Sequence, residues 1–188
     1  INNWGEIKPT PLKNIHSLKD KELIDLGNGR KLKAIYGPGH AKHHYTFYDE
    51  YSKTLFMGDT LGLIYPHGDF VQPNLPPPDF NKEVLFSTLD DLYKLDLKYL
   101  ALAHFGIHDN PYKLIENAKE NIEKWIIFMK NLNDISDESA LQSMKFWVRG
   151  NYEFLNIEEA TINNYMNNAN FDMQIKGIKN YILNKKNP

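Results

Sequence analysis

Three histidines fall within five positions in the stretch GPGHAKHH, residues 37–44, although the 188-residue chain holds only seven histidines and no cysteine. His40, His43 and His44 follow a proline set between two glycines, a combination that makes either a polar surface turn or part of a metal site. Two further residues with ligand chemistry share the setting of His40. His40 follows IYGPG, Asp59 follows LFMG and His104 follows LALA, each where a short apolar run gives way to a loop with glycine close by. With no thiolate in the chain, a bound metal has to be held by His, Asp and Glu. Two imidazoles and a carboxylate suit zinc, and also manganese, iron or cobalt. Singly, each residue is more often an ordinary turn or strand-end polar group. The repetition of one context at three places points to a metal centre.

The elements that would position these residues can be read from turn chemistry and periodicity. ELIDL, KLKAIY, YTFYDE and KTLFMG each read as a strand of four to six residues bounded by turn formers. Asn28-Gly29 suits a tight hairpin between the first two, and DEYSK does the same between the third and fourth. Residues 61–80 hold too many breakers for a strand or helix and read as a long functional loop, with PNLPPPDF a stiff part of it. Leu85, Leu89, Leu92 and Leu95 then recur at helical spacing, and KYLALAHFG reads as a buried strand ending at His104. From residue 110 the signal is helical. Asn110-Pro111 opens a helix whose apolar stripe is Leu114, Ile115, Ala118, Ile122, Trp125, Ile126 and Met129. Ser136 caps a further helix, Asn156 with Glu159 has capping-box spacing before a third, and FDMQIKGIKNYIL makes a fourth. Strands in one sheet, covered by helices, would bring the three ligand-bearing ends to one rim. There is no internal repeat and no low-complexity tract.

Composition narrows the function classes. At 41% hydrophobic and 24% charged the chain is ordinary globular protein. A net charge of -2 supplies no field for gripping a phosphate backbone, which sets nucleic acid aside. No apolar run approaches the roughly 20 residues that cross a bilayer. The absence of cysteine fits a reducing cytoplasm, the expected location.

The stretch YGPGHAKHHYTFYDEYSKTLFMGDTLG resembles the central part of the metallo-β-lactamase superfamily, whose members carry a Pro-Gly-His turn, a strand pair and an apolar strand ending in Gly-Asp. LALAHFG is similar to the segment bearing that family's last metal-binding histidine. The three residues lie 19 and 45 positions apart, and the likeness covers roughly residues 20 to 130. It implies an α/β fold, the four-layer αββα sandwich, present here as its C-terminal half with a helical tail. It also implies two divalent metal ions, zinc first, with iron or manganese as alternatives. His40 would bind the first ion, Asp59 would bridge both, and His104 would bind the second. His43 and His44 would support the ligands without binding metal.

The family's upstream His-x-His-x-Asp-His motif has no counterpart in these 188 residues, so four of the usual seven ligands are absent. The chain also starts at Ile1 and not at Met. The expectation is a single domain over 1–188 that lacks its N-terminal strands and includes a helical tail over 110–188. Alone it should hold metal weakly and turn over little.

In an intact relative the metals lower the pKa of a bridging water to about 7. The resulting hydroxide would attack a small ester, thioester or lactone-like substrate. Tyr65 and His67, on the loop after Asp59, are the candidate substrate contacts, with ordinary packing an equal alternative. The tail is similar to the pocket-shaping helices of the glyoxalase II-like branch, but glutathione thioesters call for a basic cluster. Arg30 and Arg149 are the only arginines, with Lys145 near the second. Two other readings stay open: an iron-dependent redox enzyme on the same fold, and a degenerate domain that associates through its tail. The expected partner is a small-molecule substrate, with neither nucleic acid nor membrane, and a homodimer stays open.

Overall fold

In the computed structural model, which describes Glu6 and residues 8–65, 70–104, 106–131 and 136–186, the turn signals divide the first part of the chain into a meander. Strands β1 (Leu23–Gly27), β2 (Arg30–Tyr36), β3 (Tyr45–Asp49) and β4 (Thr54–Gly58) pair in sequence, each antiparallel to the one before. Asn28 and Gly29 close the first hairpin at φ 53° and 76°, both positive as a type I′ turn requires. Between β3 and β4, Asp49 accepts hydrogen bonds from the Ser52 hydroxyl (2.6 Å) and the Tyr51 amide (3.2 Å) and pairs with Arg30.

After β4 the chain makes the short pair β5 (Leu63–Ile64) and β6 (Val71–Gln72), antiparallel and separate from the main sheet. The loop expected over 61–80 therefore holds two strands of two residues each. They are too short to show periodicity, and their pairing with each other defines them. Helix α1 (Lys82–Tyr93) follows, with the Asn81 side chain accepting from the Val84 amide as its cap (3.0 Å). Then β7 (Tyr99–Leu102) lies parallel to β4, and β8 (Ile107–His108) adds an antiparallel edge. Among the described residues the main sheet thus runs β1-β2-β3-β4-β7-β8.

Alternation along the strands sorts side chains onto two faces. Leu55, Met57 and Leu100 are fully buried on the helix-covered face. On the other, Phe47 pairs with Phe56, Phe56 with Ala101 and Ala101 with Ile107; Phe56 is 40% and Ile107 67% exposed, with Ala101 covered between them. One sheet with helices on one face is half of an αββα sandwich.

The tail is α2 (Pro111–Asn131), α3 (Asp137–Phe154), α4 (Glu159–Asn168) and α5 (Phe171–Lys186). All seven residues of the predicted stripe on α2 are buried, each large aliphatic one stabilising by about 2 kcal/mol. Leu95 lies past the end of α1, where its carbonyl accepts from the Tyr112 hydroxyl of α2 (2.8 Å). Ser136 caps α3, its hydroxyl accepting from the Ser139 amide (3.2 Å). Asn156 does not cap α4. It sits at φ 55° after the end of α3, the left-handed position that closes a helix, and α4 begins without a side-chain cap. No described helix is long and apolar enough to cross a membrane.

Candidate metal centre

Because β2, β4 and β7 point the same way, their C-terminal ends share one rim, and His40, Asp59 and His104 follow those ends. Asp59 and His104 come into contact: His104 Nε2 lies 3.3 Å from Asp59 Oδ1. Their strand ends are tied by the Ala103 amide, which donates to the Gly58 carbonyl at 3.3 Å.

The turn that carries His40 is fixed from several sides. The Asn81 amide donates to the Gly39 carbonyl (2.9 Å), the Thr88 hydroxyl to the Pro38 carbonyl (2.8 Å) and the Tyr36 hydroxyl to the Lys42 carbonyl (2.6 Å). Gly39, at φ 122°, lies so close to α1 that any side chain would meet the backbone of Leu85. His40 is 7% exposed. Its Nδ1 is 2.8 Å from the Asn74 carbonyl oxygen, which can only accept, so Nδ1 carries the proton and Nε2 keeps its lone pair. Burial pushes the His40 imidazolium pKa below its ordinary value, against the opposing pull of the Asn74 carbonyl and Asp59. A neutral ring with one nitrogen anchored on a carbonyl is the form in which histidine binds metal.

His44 is used differently. Its Nε2 accepts from the Asp59 amide (3.2 Å), so the proton of the neutral ring is on Nδ1, 2.9 Å from the Thr60 hydroxyl. Both nitrogens are thereby engaged. Burial, then the neighbouring His40 ring at 5.7 Å, lowers its pKa. Gly58, at φ 53°, makes room for this arrangement, since a Cβ there would lie 2.6 Å from His44 Nε2. His44 therefore holds the backbone of Asp59, while His43 is exposed on the turn.

The metallo-beta-lactamase superfamily model matches residues 4–104, more than half of the chain. The chain belongs to the metallo-beta-lactamase superfamily. It is 31% identical over 108 residues to the metallo-beta-lactamase fold-containing protein ST1585 of Sulfurisphaera tokodaii, a match covering 57% of this chain and 38% of that protein. The crystal structure of ST1585 from Sulfolobus tokodaii aligns with a TM-score of 0.53 at 27% identity, over 62% of this chain and 43% of that one. A metallo-beta-lactamase family protein from Thermus thermophilus aligns with a TM-score of 0.53 at 25% identity, over 63% of this chain and 38% of that one. The chain thus spans about two fifths of the length of these relatives.

A metallo-beta-lactamase fold is a metal-dependent, hydrolase-type scaffold, and the rim fits a cation in kind. Asp59 Oδ1 is buried and, apart from its 3.3 Å contact with His104 Nε2, takes no hydrogen bond from the described residues, which leaves acceptor capacity of the sort a bound ion would satisfy. The donors do not suffice in number: among the described residues no group of three or more His, Asp or Glu side chains is arranged to hold an ion. Asp59 meets His104, whereas His40 lies beside His44.

Of the two candidate substrate contacts, Tyr65 is 5% exposed and stacks on Tyr165 of α4 (4.2 Å), with Tyr152 of α3 edge-on (6.0 Å). Its ring is a packing element in this structure. His67 lies outside the described residues. Asn74 and Thr60 escaped the sequence reading. Nothing local marks Asn74, whose backbone acts and whose partner is 34 residues away. Thr60, next to Asp59, could have been found only by knowing that His44 faces it.

Proposed function

We propose that this chain supplies His40, Asp59 and His104 to a dinuclear metal centre, and that the completed centre hydrolyses small ester or lactone-like substrates. The observation that supports this most is the buried Asp59 Oδ1 set 3.3 Å from His104 Nε2, with no hydrogen bond from the described residues, on the rim where three strands end together. The neutral, anchored ring of His40 supports it further. Zinc is the proposed ion, and when bound it would supply an activated water at neutral pH. His44 would keep Asp59 in place, and the remaining donors would come from outside these residues.

A glutathione thioester is the weaker substrate class. Arg149, the arginine of the tail, is already paired with Glu153, Asn163 and Glu159 at 2.8 to 3.0 Å. Tyr65 would brace the loop after Asp59, leaving His67 as the proposed substrate contact.

Calorimetric titration of the 188-residue chain with zinc tests the reading. Weak binding is expected, reduced about 10- to 100-fold in His40→Ala and in Asp59→Asn. Equal affinity in wild type and Asp59→Asn would refute it. Assay of an aryl acetate and a lactone, with the chain extended to the length of its relatives, would then test the hydrolytic step.

A further inference from the structure

We infer that the last helix of the tail is a positioning element for His40, acting through Gln174. Gln174 is 2% exposed and uses both ends of its amide on the loop before α1. Its Oε1 accepts from the Leu75 amide at 2.5 Å, and its Nε2 donates to Asn74 Oδ1 at 3.1 Å. The carbonyl that takes the His40 Nδ1 proton belongs to Asn74. The Asn74 C=O and the Leu75 N–H are the two ends of one planar peptide unit, which cannot turn at one end only. Gln174 therefore holds one edge of the plane whose opposite edge orients the imidazole. Hydrogen bonds on both sides of a peptide also polarise one another, which strengthens the grip on His40.

The rest of α5 is shaped to bring Gln174 there. One turn on, Gly177 lies so close to Leu75 that a methyl group in its place would collide with the Leu75 carbonyl oxygen. A further turn on, the Asn180 side-chain amide donates to the Pro78 carbonyl (3.1 Å). The Tyr181 hydroxyl then reaches Glu83 (2.8 Å), and its ring packs on Phe80 (5.3 Å). Residues 174, 177, 180 and 181 recur at helical spacing, so one face of α5 tracks the chain from Asn74 to Glu83 in the first turn of α1. Burying Ile175, Ile178 and Ile182 would need none of these polar contacts. The family match ends at residue 104, so this helix lies outside the matched stretch.

The importance of the relay for metal binding rests on the proposed role of His40, and the test separates the two. Long-range nitrogen-15 NMR of the histidine rings, on the full 188-residue chain at one fixed pH, reads the tautomer of His40 without any metal. In wild type we expect the Nδ1–H form with a slowly exchanging proton. In Gln174→Leu that proton should exchange faster, the two tautomers should mix, and zinc affinity should fall about tenfold. Gln174→Asn, too short to reach Leu75, should act alike and carries the test if the leucine variant does not fold. Gln174→Glu, which keeps the acceptor for the Leu75 amide and can take a hydrogen bond from an Asn74 side-chain amide turned to donate, should restore the wild-type signature. Ile178→Val removes one buried methyl group from the same helix and should leave His40 unchanged. A wild-type His40 signature in folded Gln174→Leu or Gln174→Asn overturns the inference, as does an equal change in Ile178→Val. Zinc binding unaffected by His40→Ala would instead refute the metal reading while leaving the positioning result standing.

Discussion

On one side of the rim His40 is 7% exposed, in a turn bonded to α1 and to the Asn74 carbonyl; on the other, His104 has its side chain 51% exposed just past the end of β7. Both are histidines after a strand, yet one is oriented by the protein in advance and the other meets Asp59 near the surface. A buried ligand loses little freedom when an ion arrives, whereas an exposed one is ordered by the ion itself. The difference makes the turn side the fixed reference of the proposed centre and the β7 side its adjustable part.

The largest expected effect breaks the fixed side. Gly39→Ala would force a side chain against the Leu85 backbone at φ 122° and should cost about 3 kcal/mol, read as a lower urea midpoint. An unchanged midpoint would show that the turn gives way, and the contrast between the two sides would fail. Next, Gly58→Ala sits where the two sides join. At φ 53° it adds a Cβ 2.6 Å from His44 Nε2, and the strained backbone plus the lost Asp59 amide bond should cost about 2 kcal/mol. Repeated in a His44→Ala background, the same change should cost only the backbone share, about 1 kcal/mol. If both backgrounds lose equally, His44 does not connect the sides.

The adjustable side should respond to the ion. Zinc at ten times its dissociation constant should stabilise the chain by about 1.4 kcal/mol, with amide exchange slowing more around residues 103–108 than around 37–44. Asp59→Asn should abolish both effects, and slowing confined to 37–44 would reverse the assignment. The smallest effect sharpens the comparison within the turn. His43→Ala should change stability by under about 0.5 kcal/mol and leave zinc affinity alone, because His43 is exposed. A measurable loss of zinc would make it a ligand.

What could be read from the residues beforehand follows the range of the interactions. The strands of the meander and the stripe on α2 declare themselves through local turns and periodicity, and so do the three strand-end residues. The pair β5 and β6 could not be seen, since two residues carry no period. Nor could β8, which exists because Ala101 and Leu100 offer partners to Ile107 and His108. Asn156 misled because its spacing to Glu159 imitates a cap, while its actual work is to end α3 at positive φ. Within the site, the residue types marked the candidate ligands, but which histidine supports and which is anchored depended on Asn74 and Thr60. Those partners are set by folding and leave no local mark.

The bond from Gln174 to Leu75 joins residues 99 positions apart, and that separation governs when His40 acquires its orientation. The meander β1–β4 can pair as soon as it is made, because its contacts are local. A contact across 99 residues forms late, after the entropy of the intervening chain has been overcome. During synthesis, at about 5–20 residues per second, the turn at residues 37–44 emerges seconds before α5 exists. By the relay inferred above, a nascent chain has its strands and its histidines but no poised imidazole. On the proposed metal reading, zinc affinity would reach its full value only once α5 docks, so a chain cut before Gln174 should bind zinc about tenfold more weakly.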